Sequence, residues 1–396
     1  MIYFDSSATN PMLPEVRDAM LRVMNLSVEK TLGNPSSLHS AGSLGRDILD
    51  SARKSVGSLI RAQKSEIIFT SGGSESNNTV LRTFENCPIL VSKIEHPSVL
   101  SPAEEFGDPC LKIPVDIDGV VDLDFIKEKL SSLTSKNPKQ KILISVMLAN
   151  NEIGTIEPIQ KISELIREFK EKGVRNIYLH TDATQAVGKI PVSVKDLGVD
   201  YLTFSSHKLG GPVGIGALYV RTGAPFRPLI FGGAQENKRR AGTSNAVLAE
   251  GFRVAAEKAE LTPEPYAKNV RKVRDCLASG ILETVPSAIL ITPVENSLPN
   301  VLNISFPAAE GESTQLYLDL DGIAVSTGSA CASGDLEPSH VLMALFNDAE
   351  IAHDSVRFSL NLNSTLEEAD MVIEKLPAII ARLQDMSTLT PEKKNA

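Results

Sequence analysis

The residues that could do chemistry gather in a few short runs. SSHK (205–208) closes the apolar run YLTFSS and precedes a glycine-rich stretch, LGGPVGIG. A lysine there, at a strand end beside a flexible loop, can offer its amine to a bound group; read alone, Lys208 is equally a surface lysine after a strand. Asp182 closes IYLHTD, and Gln185 follows in the next turn. They supply a carboxylate and an amide at a second strand end, or, taken alone, a helix cap and a turn residue. SGGSESNN (71–78) sets Gly72 and Gly73 between a strand and a helix. Ser74 is placed to cap that helix, whose free N–H groups would cradle an anion. No GK[ST] follows, so this is not a Walker loop. Ser205 and His207 offer further contacts to the same anion, and His96 in EHPS offers a ring that can stack and shuttle protons near neutral pH.

Taken together these groups suit pyridoxal phosphate. Lys208 would carry the aldehyde as a Schiff base, and the glycine turn would hold the phosphate. Asp182 would keep the pyridine nitrogen protonated, which makes the ring an electron sink. Gln185 would donate to the phenolate oxygen.

The elements that must position them follow from the pattern between Glu66 and Val220. Short β-branched and apolar runs (IIFT, ILVS, ILISVML, IYLHTDA, YLTFSS, GIGALYV) alternate there with longer amphipathic segments. This is the βαβ rhythm of a mostly parallel sheet. Polar clusters follow several of the runs, and in open α/β sheets ligands bind beyond the carboxyl ends of the strands. A helical segment over 246–261 is followed by LTPEPYA (261–267), which reads as a boundary. Beyond it come a helix, the strands NVLNISF and GIAVSTGSA, and a closing helix over 366–383. The expected fold class is α/β. A large cofactor-binding domain spans 16–261, and a smaller α+β domain is built from 1–15 and 262–396. The tail after Met386 has the composition of a disordered segment.

The chain has 396 residues, 42% of them hydrophobic, and a formal charge of −9, which argues against direct nucleic-acid binding by counterion release. Four scattered cysteines, Cys87, Cys110, Cys276 and Cys331, form no CxxC pair, so neither a disulfide scaffold nor a metal site is expected. The longest apolar run, Leu143 to Ala149, is broken only by Ser145 and is far too short to span a bilayer. With no leader-like N-terminus, the expected location is the cytoplasm, without membrane contact. Cys87, Cys110 and Cys276 read as inert buried residues. Cys331 differs, because TGSACASGD predicts a mobile, exposed backbone on which a thiol can attack and withdraw.

In order along the chain, these motifs resemble the cysteine desulfurases, class V members of the fold-type I pyridoxal-phosphate enzymes, and within them the long-loop NifS/IscS-like group. The likeness runs through YFDSSATNP (3–11), GNPSSLHSAG (33–42), FTSGGSESNN (69–78), EHPSV (95–99) and NNEIG (150–154). It continues through HTDATQAVGK (180–189), SSHKLGGPVGIG (205–216), RRAGTSN (239–245) and STGSACASGDLEPSHVL (326–342). The resemblance implies that Lys208 is the Schiff-base lysine, His96 the ring-stacking residue, Asp182 the pyridine partner and Gln185 the phenolate partner. It further implies that Gly73, Ser74, Ser205 and His207 hold the phosphate, with Thr243 reaching it from the other subunit of a homodimer. Cys331 is then the nucleophile that takes sulfur from L-cysteine as a persulfide and releases alanine. Arg357 in VRFSL, otherwise a surface charge on a strand, binds the substrate carboxylate with help from Asn151. The loop after Cys331 implies an acceptor protein, such as an iron-sulfur scaffold or a sulfur-relay carrier for tRNA thiolation.

Three positions depart from the family pattern. Asn361 stands where glycine usually follows the arginine strand, Ser6 and Ser7 replace Asn or His, and SGGSE replaces the commoner GATE-type turn. Within the cofactor's chemistry, a selenocysteine lyase or a desulfurase serving another pathway, such as DNA sulfur modification, would carry the same residues. An aminotransferase would not need Cys331. A catalytically silent homologue would have lost Lys208 or Cys331, and both are present.

Overall fold

The computed structural model describes residues 1–261, 263–328 and 337–387; Cys331 and the tail beyond Ser387 lie outside them. Twelve strands are named in chain order. They are β1 (Ile2–Tyr3), β2 (Ile67–Thr70), β3 (Cys87–Ser92), β4 (Gly107–Ile113), β5 (Ile142–Ser145) and β6 (Ile177–Asp182). Then follow β7 (Tyr201–Ser205), β8 (Gly216–Val220), β9 (Ile289–Leu290), β10 (Val301–Ser305), β11 (Ile323–Ala324) and β12 (Ser355–Ser359).

Seven of these form one sheet in the order β2-β8-β7-β6-β5-β3-β4. All neighbours are parallel except β8, which runs antiparallel to both β2 and β7. Two reversals cancel, so β2 points the same way as β7, and the carboxyl ends of β2, β3, β5, β6 and β7 open on one edge. Apolar residues of β2, β5, β6 and β7 are buried on both faces, which explains their near-continuous hydrophobic sequence.

The edge strand β4 has no counterpart among the apolar runs. Its sequence, GDPCLKI, holds Gly107 and Pro109 and is mostly half-buried, with Asp108 and Pro109 exposed, a composition tolerated at an edge, where one side of the strand needs no partner.

A second core lies under the antiparallel sheet β12-β10-β9 and the parallel pair β1-β11. It buries Ile2 and Phe4 with residues of the helices Pro263–Thr284 and Leu366–Met386. LTPEPYA is barely a linker: the helix Ala246–Leu261 ends two residues before the next begins at Pro263, a position whose missing amide hydrogen costs a helix nothing. Among its described residues GIAVSTGSA is strand only over β11, with Ser326 bridging to Arg357. The closing helix extends to Met386. Among the described residues, no helix is long and apolar enough to cross a membrane.

Candidate active site

A cavity of about 630 Å³ opens where the strand ends converge. Gly73 and Ser74 come from the turn after β2, His96 from beyond β3, and Asn151 from beyond β5. Asp182 and Gln185 reach it from the end of β6, Ser205, His207 and Lys208 from the end of β7, and Arg357 from β12. Thr243 is not among the lining residues; it is exposed on the segment before the helix Ala246–Leu261. Cys331 falls outside the described residues, but Thr327, Gly328 and Glu337 on either side of its segment line the cavity.

Lys208 sits in a single helical turn, Ser206–Leu209, ended by Gly210 in a left-handed conformation (φ 75°). A Cβ on Gly210 would lie 2.8 Å from Leu13, so glycine is required there. Lys208 Nζ donates to the carbonyls of Ser7 (2.5 Å) and Ala8 (2.6 Å). Burial, then the Arg357 charge, pulls its pKa down to about 8. A second lysine, Lys189, is 3% exposed behind Gln185. Its Nζ donates to Gln185 Oε1 at 2.7 Å, while Gln185 Nε2 donates to the Ser7 carbonyl at 3.0 Å. Burial, with Lys208 and Arg357 nearby, pulls Lys189 down to about 7. His207, held at Nδ1 by Thr9 Oγ1 (3.1 Å), is lowered to about 4 by burial and by both lysines.

Asp182 accepts from the Thr184 amide (2.9 Å) and from Asn77 Nδ2 (2.7 Å). His96 caps the helix Pro97–Phe106, its Nδ1 accepting from the Ser98 amide at 3.1 Å. Its ring is exposed and lines the cavity. Solvent therefore reaches it, yet the surrounding protein still lowers its pKa by desolvation. Arg357 donates to Asp5 Oδ1 (3.0 Å) and the Asn151 carbonyl (3.2 Å), and its Nε is buried without a partner. Glu152, fully buried beside it, accepts from Ser339 Oγ at 2.5 Å and is raised to about 7 by burial.

Three sequence expectations change. Ser74 does not cap its helix: Gly72 holds the cap position and Ser74 lies in the first turn, exposed to the cavity, where its hydroxyl is free for a ligand. Asn361 leaves the arginine strand undisturbed, since β12 keeps register with β10 through Ser359. Instead, Asn361 Nδ2 donates to Ser6 Oγ (3.1 Å), so two of the three departures from the family pattern satisfy each other. Cys87, Cys110 and Cys276 are half-buried rather than buried, and burial raises the thiols of Cys87 and Cys110, away from reactive thiolate.

Asn77, Ser98, Lys189, Glu152 and the carbonyls of Ser7 and Ala8 are site groups that sequence reasoning missed. Lys189 had a usable signal, lying one helical turn after Gln185 in the same motif. The backbone carbonyls had none.

The site fits pyridoxal phosphate. Lys208 and Arg357 bring positive charge to the cavity and Lys189 adds more behind Gln185, and burial first, then the neighbouring cations, depress both lysines, a charge that a bound anion would offset. The hydroxyls of Ser7 and Thr184 are buried there without partners. Gly216 of β8 packs so closely on Gly72 that a Cβ would meet its Cα at 2.8 Å, which fixes the turn over which the phosphate would lie.

Fold and cavity together define a pyridoxal-phosphate enzyme of fold type I. Residues 2–372 match the aminotransferase class-V family, and the chain belongs to it. It is 43% identical over 402 residues to "Cysteine desulfurase IscS" of Dictyoglomus turgidum, covering 99% of this chain and 98% of that protein. A solved "NIFS-LIKE PROTEIN" superposes with a TM-score of 0.86 at 35% identity, covering 96% of this chain and 99% of the other. The structure "SspA in complex with cysteine" superposes with a TM-score of 0.77 at 28% identity, covering 92% and 100%. The resemblance drawn from the motifs is thereby borne out at the level of family, fold and cofactor.

Proposed function

We propose that this protein is a cysteine desulfurase that converts L-cysteine to L-alanine and carries the sulfur as a persulfide on Cys331. The observation that carries the reading is the cavity itself, where the groups for cofactor, substrate carboxylate and base meet beside both ends of the Cys331 segment. Relatives named cysteine desulfurase over nearly the full length, and a related structure titled as a cysteine complex, support the same substrate.

Gly73, Ser74, Ser205 and His207 hold the phosphate, Asp182 the pyridine nitrogen and Gln185 the phenolate oxygen. When bound, pyridoxal phosphate supplies the sink for the electron pair left by the substrate's Cα proton. Arg357 and Asn151 orient the substrate carboxylate. Lys208 takes the Cα proton, and a pKa near 8 suits a base working close to neutrality. The Cys331 thiolate attacks the substrate sulfur. An S–S bond forms, the C–S bond breaks with its electron pair going to Cβ, which takes up a proton, and Lys208 returns a proton to Cα to complete alanine.

The division into 16–261 and 1–15 with 262–396 is supported by the two largest cores, the first drawing only Leu298 and Val301 from beyond 261 and the second lying wholly within 1–15 and 262–396. Thr243, exposed and outside its own cavity, is available to a second copy of the chain, and this supports a homodimer with shared sites. The persulfide passes to an acceptor protein, of the iron-sulfur scaffold or sulfur-relay kind, in the cytoplasm. Replacing Cys331 with serine tests the reading. Sulfide and alanine production from cysteine is expected to fall to background while the cofactor stays bound, and continued sulfur release would refute the role of Cys331.

A further inference from the structure

Asn77, in the helix Gly73–Thr83, is 0% exposed and spends both hydrogens of its amide inside the site. Nδ2 donates to Asp182 Oδ2 at 2.7 Å and to Ser98 Oγ at 2.9 Å. The orientation of this amide follows from chemistry, because a carboxylate only accepts and would repel the amide oxygen. The direction then propagates. Ser98 Oγ receives from Asn77, so its single proton is free for His96 Nδ1, 2.8 Å away. The Ser98 backbone amide donates to the same nitrogen at 3.1 Å. Two donors aimed at Nδ1 require a lone pair there, and the proton of a neutral imidazole must then sit on Nε2.

We propose that the chain Asp182–Asn77–Ser98–His96 fixes His96 as the neutral tautomer protonated on Nε2, so that it presents an N–H rather than a lone pair to whatever lies in the cavity. Asn77 and Ser98 are the positioning residues. Among the described residues Nε2 has no protein partner, and the ring lines the cavity. His96 is thus a hydrogen-bond donor to the bound molecules. Taking up a proton would require displacing both donors from Nδ1, which narrows the proton-shuttle role expected of a histidine near neutral pH. Burial lowers the His96 pKa in the same sense. Of the charged and titratable groups that face it, Asp182 from β6 raises it, whereas Lys208 and His340 lower it. His340, from the helix His340–Phe346, has its Nε2 2.8 Å from the Glu95 carbonyl.

The inference rests on the proposed function only for what occupies the space opposite Nε2; the tautomer is a property of the chain. Histidine labelled with 15N in the full-length protein, measured with and without added pyridoxal phosphate, reads it directly, the His96 signals being assigned by their loss in His96→Gln. The expected spectrum has Nε2 protonated and Nδ1 unprotonated in both samples. Ser98→Ala removes one donor, and the His96 midpoint should rise by roughly half to one pH unit, the equivalent of one hydrogen bond of about 1 kcal/mol. Ser98→Thr should keep the original midpoint. A proton on Nδ1 in the unaltered protein, or identical titrations for Ser98→Ala and Ser98→Thr, would overturn the proposal. Nε2 protonation in a protein that binds no pyridoxal phosphate would sustain it while refuting the functional reading.

Discussion

Lys189 Nζ donates to Gln185 Oε1 at 2.7 Å, which leaves the amide nitrogen of Gln185 as the end facing Ser7 and the cavity. An amide can turn either way; the Ser7 carbonyl decides the matter, because it can only accept, and Lys189 donates to the oxygen at the other end. Gln185 is therefore held as a donor, the orientation a phenolate oxygen needs.

Lys189→Met should free that amide and weaken pyridoxal phosphate binding by roughly tenfold, the worth of one hydrogen bond to a charged oxygen. It should also alter how stability depends on pH. A folded pKa of about 7 against an ordinary value of 10.5 means that the unfolded chain binds more protons between those limits, so Lys189 makes stability rise with pH across that window. Urea unfolding of the cofactor-free protein at pH 7 and pH 9 should show a smaller rise in the variant than in the parent. An equal rise in both would mean that Lys189 is not held in this environment.

Arg357 is positioned by Asp5 and the Asn151 carbonyl, with a buried Nε to spare. Arg357→Lys retains the charge but loses the planar fork, so KM for cysteine should rise by about 10- to 100-fold with a smaller change in kcat. Steady-state kinetics would check it, and a variant with unchanged KM would remove Arg357 from substrate binding.

The segment that bears Thr243 is anchored well away from the threonine itself. Glu236, Asn237 and Lys238 all adopt positive φ (47°, 57° and 64°), a strained run without glycine. Arg53 grips the buried Glu236 with two hydrogen bonds of 2.6 and 2.7 Å, and Arg240 does the same for Glu75 in the phosphate turn. Arg53→Ala should strand a buried carboxylate at a cost of about 3 kcal/mol and release the turn. Amide hydrogen exchange should then accelerate over residues 230–245 before the rest of the chain, and uniform protection would show that the ion pair does not hold the segment.

Much of this architecture was legible because strands buried on both faces announce themselves as apolar runs, and the site groups sit at their ends. Asp182, Ser205 and Lys208 were found by that logic. β4 was not, since an edge strand with Gly107 and Pro109 lacks the pattern. Asn77 and Ser98 escaped for a different reason: each is one polar residue among many in a helical segment, and the bond between them joins two helices, with Asp182 beyond Asn77 at the end of another strand. The carbonyls of Ser7 and Ala8 carry no side-chain signal at all. Asn361, read as a threat to the arginine strand, proved to be paired with Ser6, a compensation visible only once both ends of the chain meet in the second core.

The central claim is that sulfur from cysteine passes to Cys331 in a site assembled on Lys208. Incubating the protein with L-cysteine and pyridoxal phosphate, quantifying alanine, and mapping the modified cysteine by mass spectrometry tests it most directly. One alanine for each sulfur transferred and a persulfide on Cys331 are expected, with Cys87, Cys110 and Cys276 unmodified. Bound cofactor without alanine, or a persulfide on another cysteine, would contradict it.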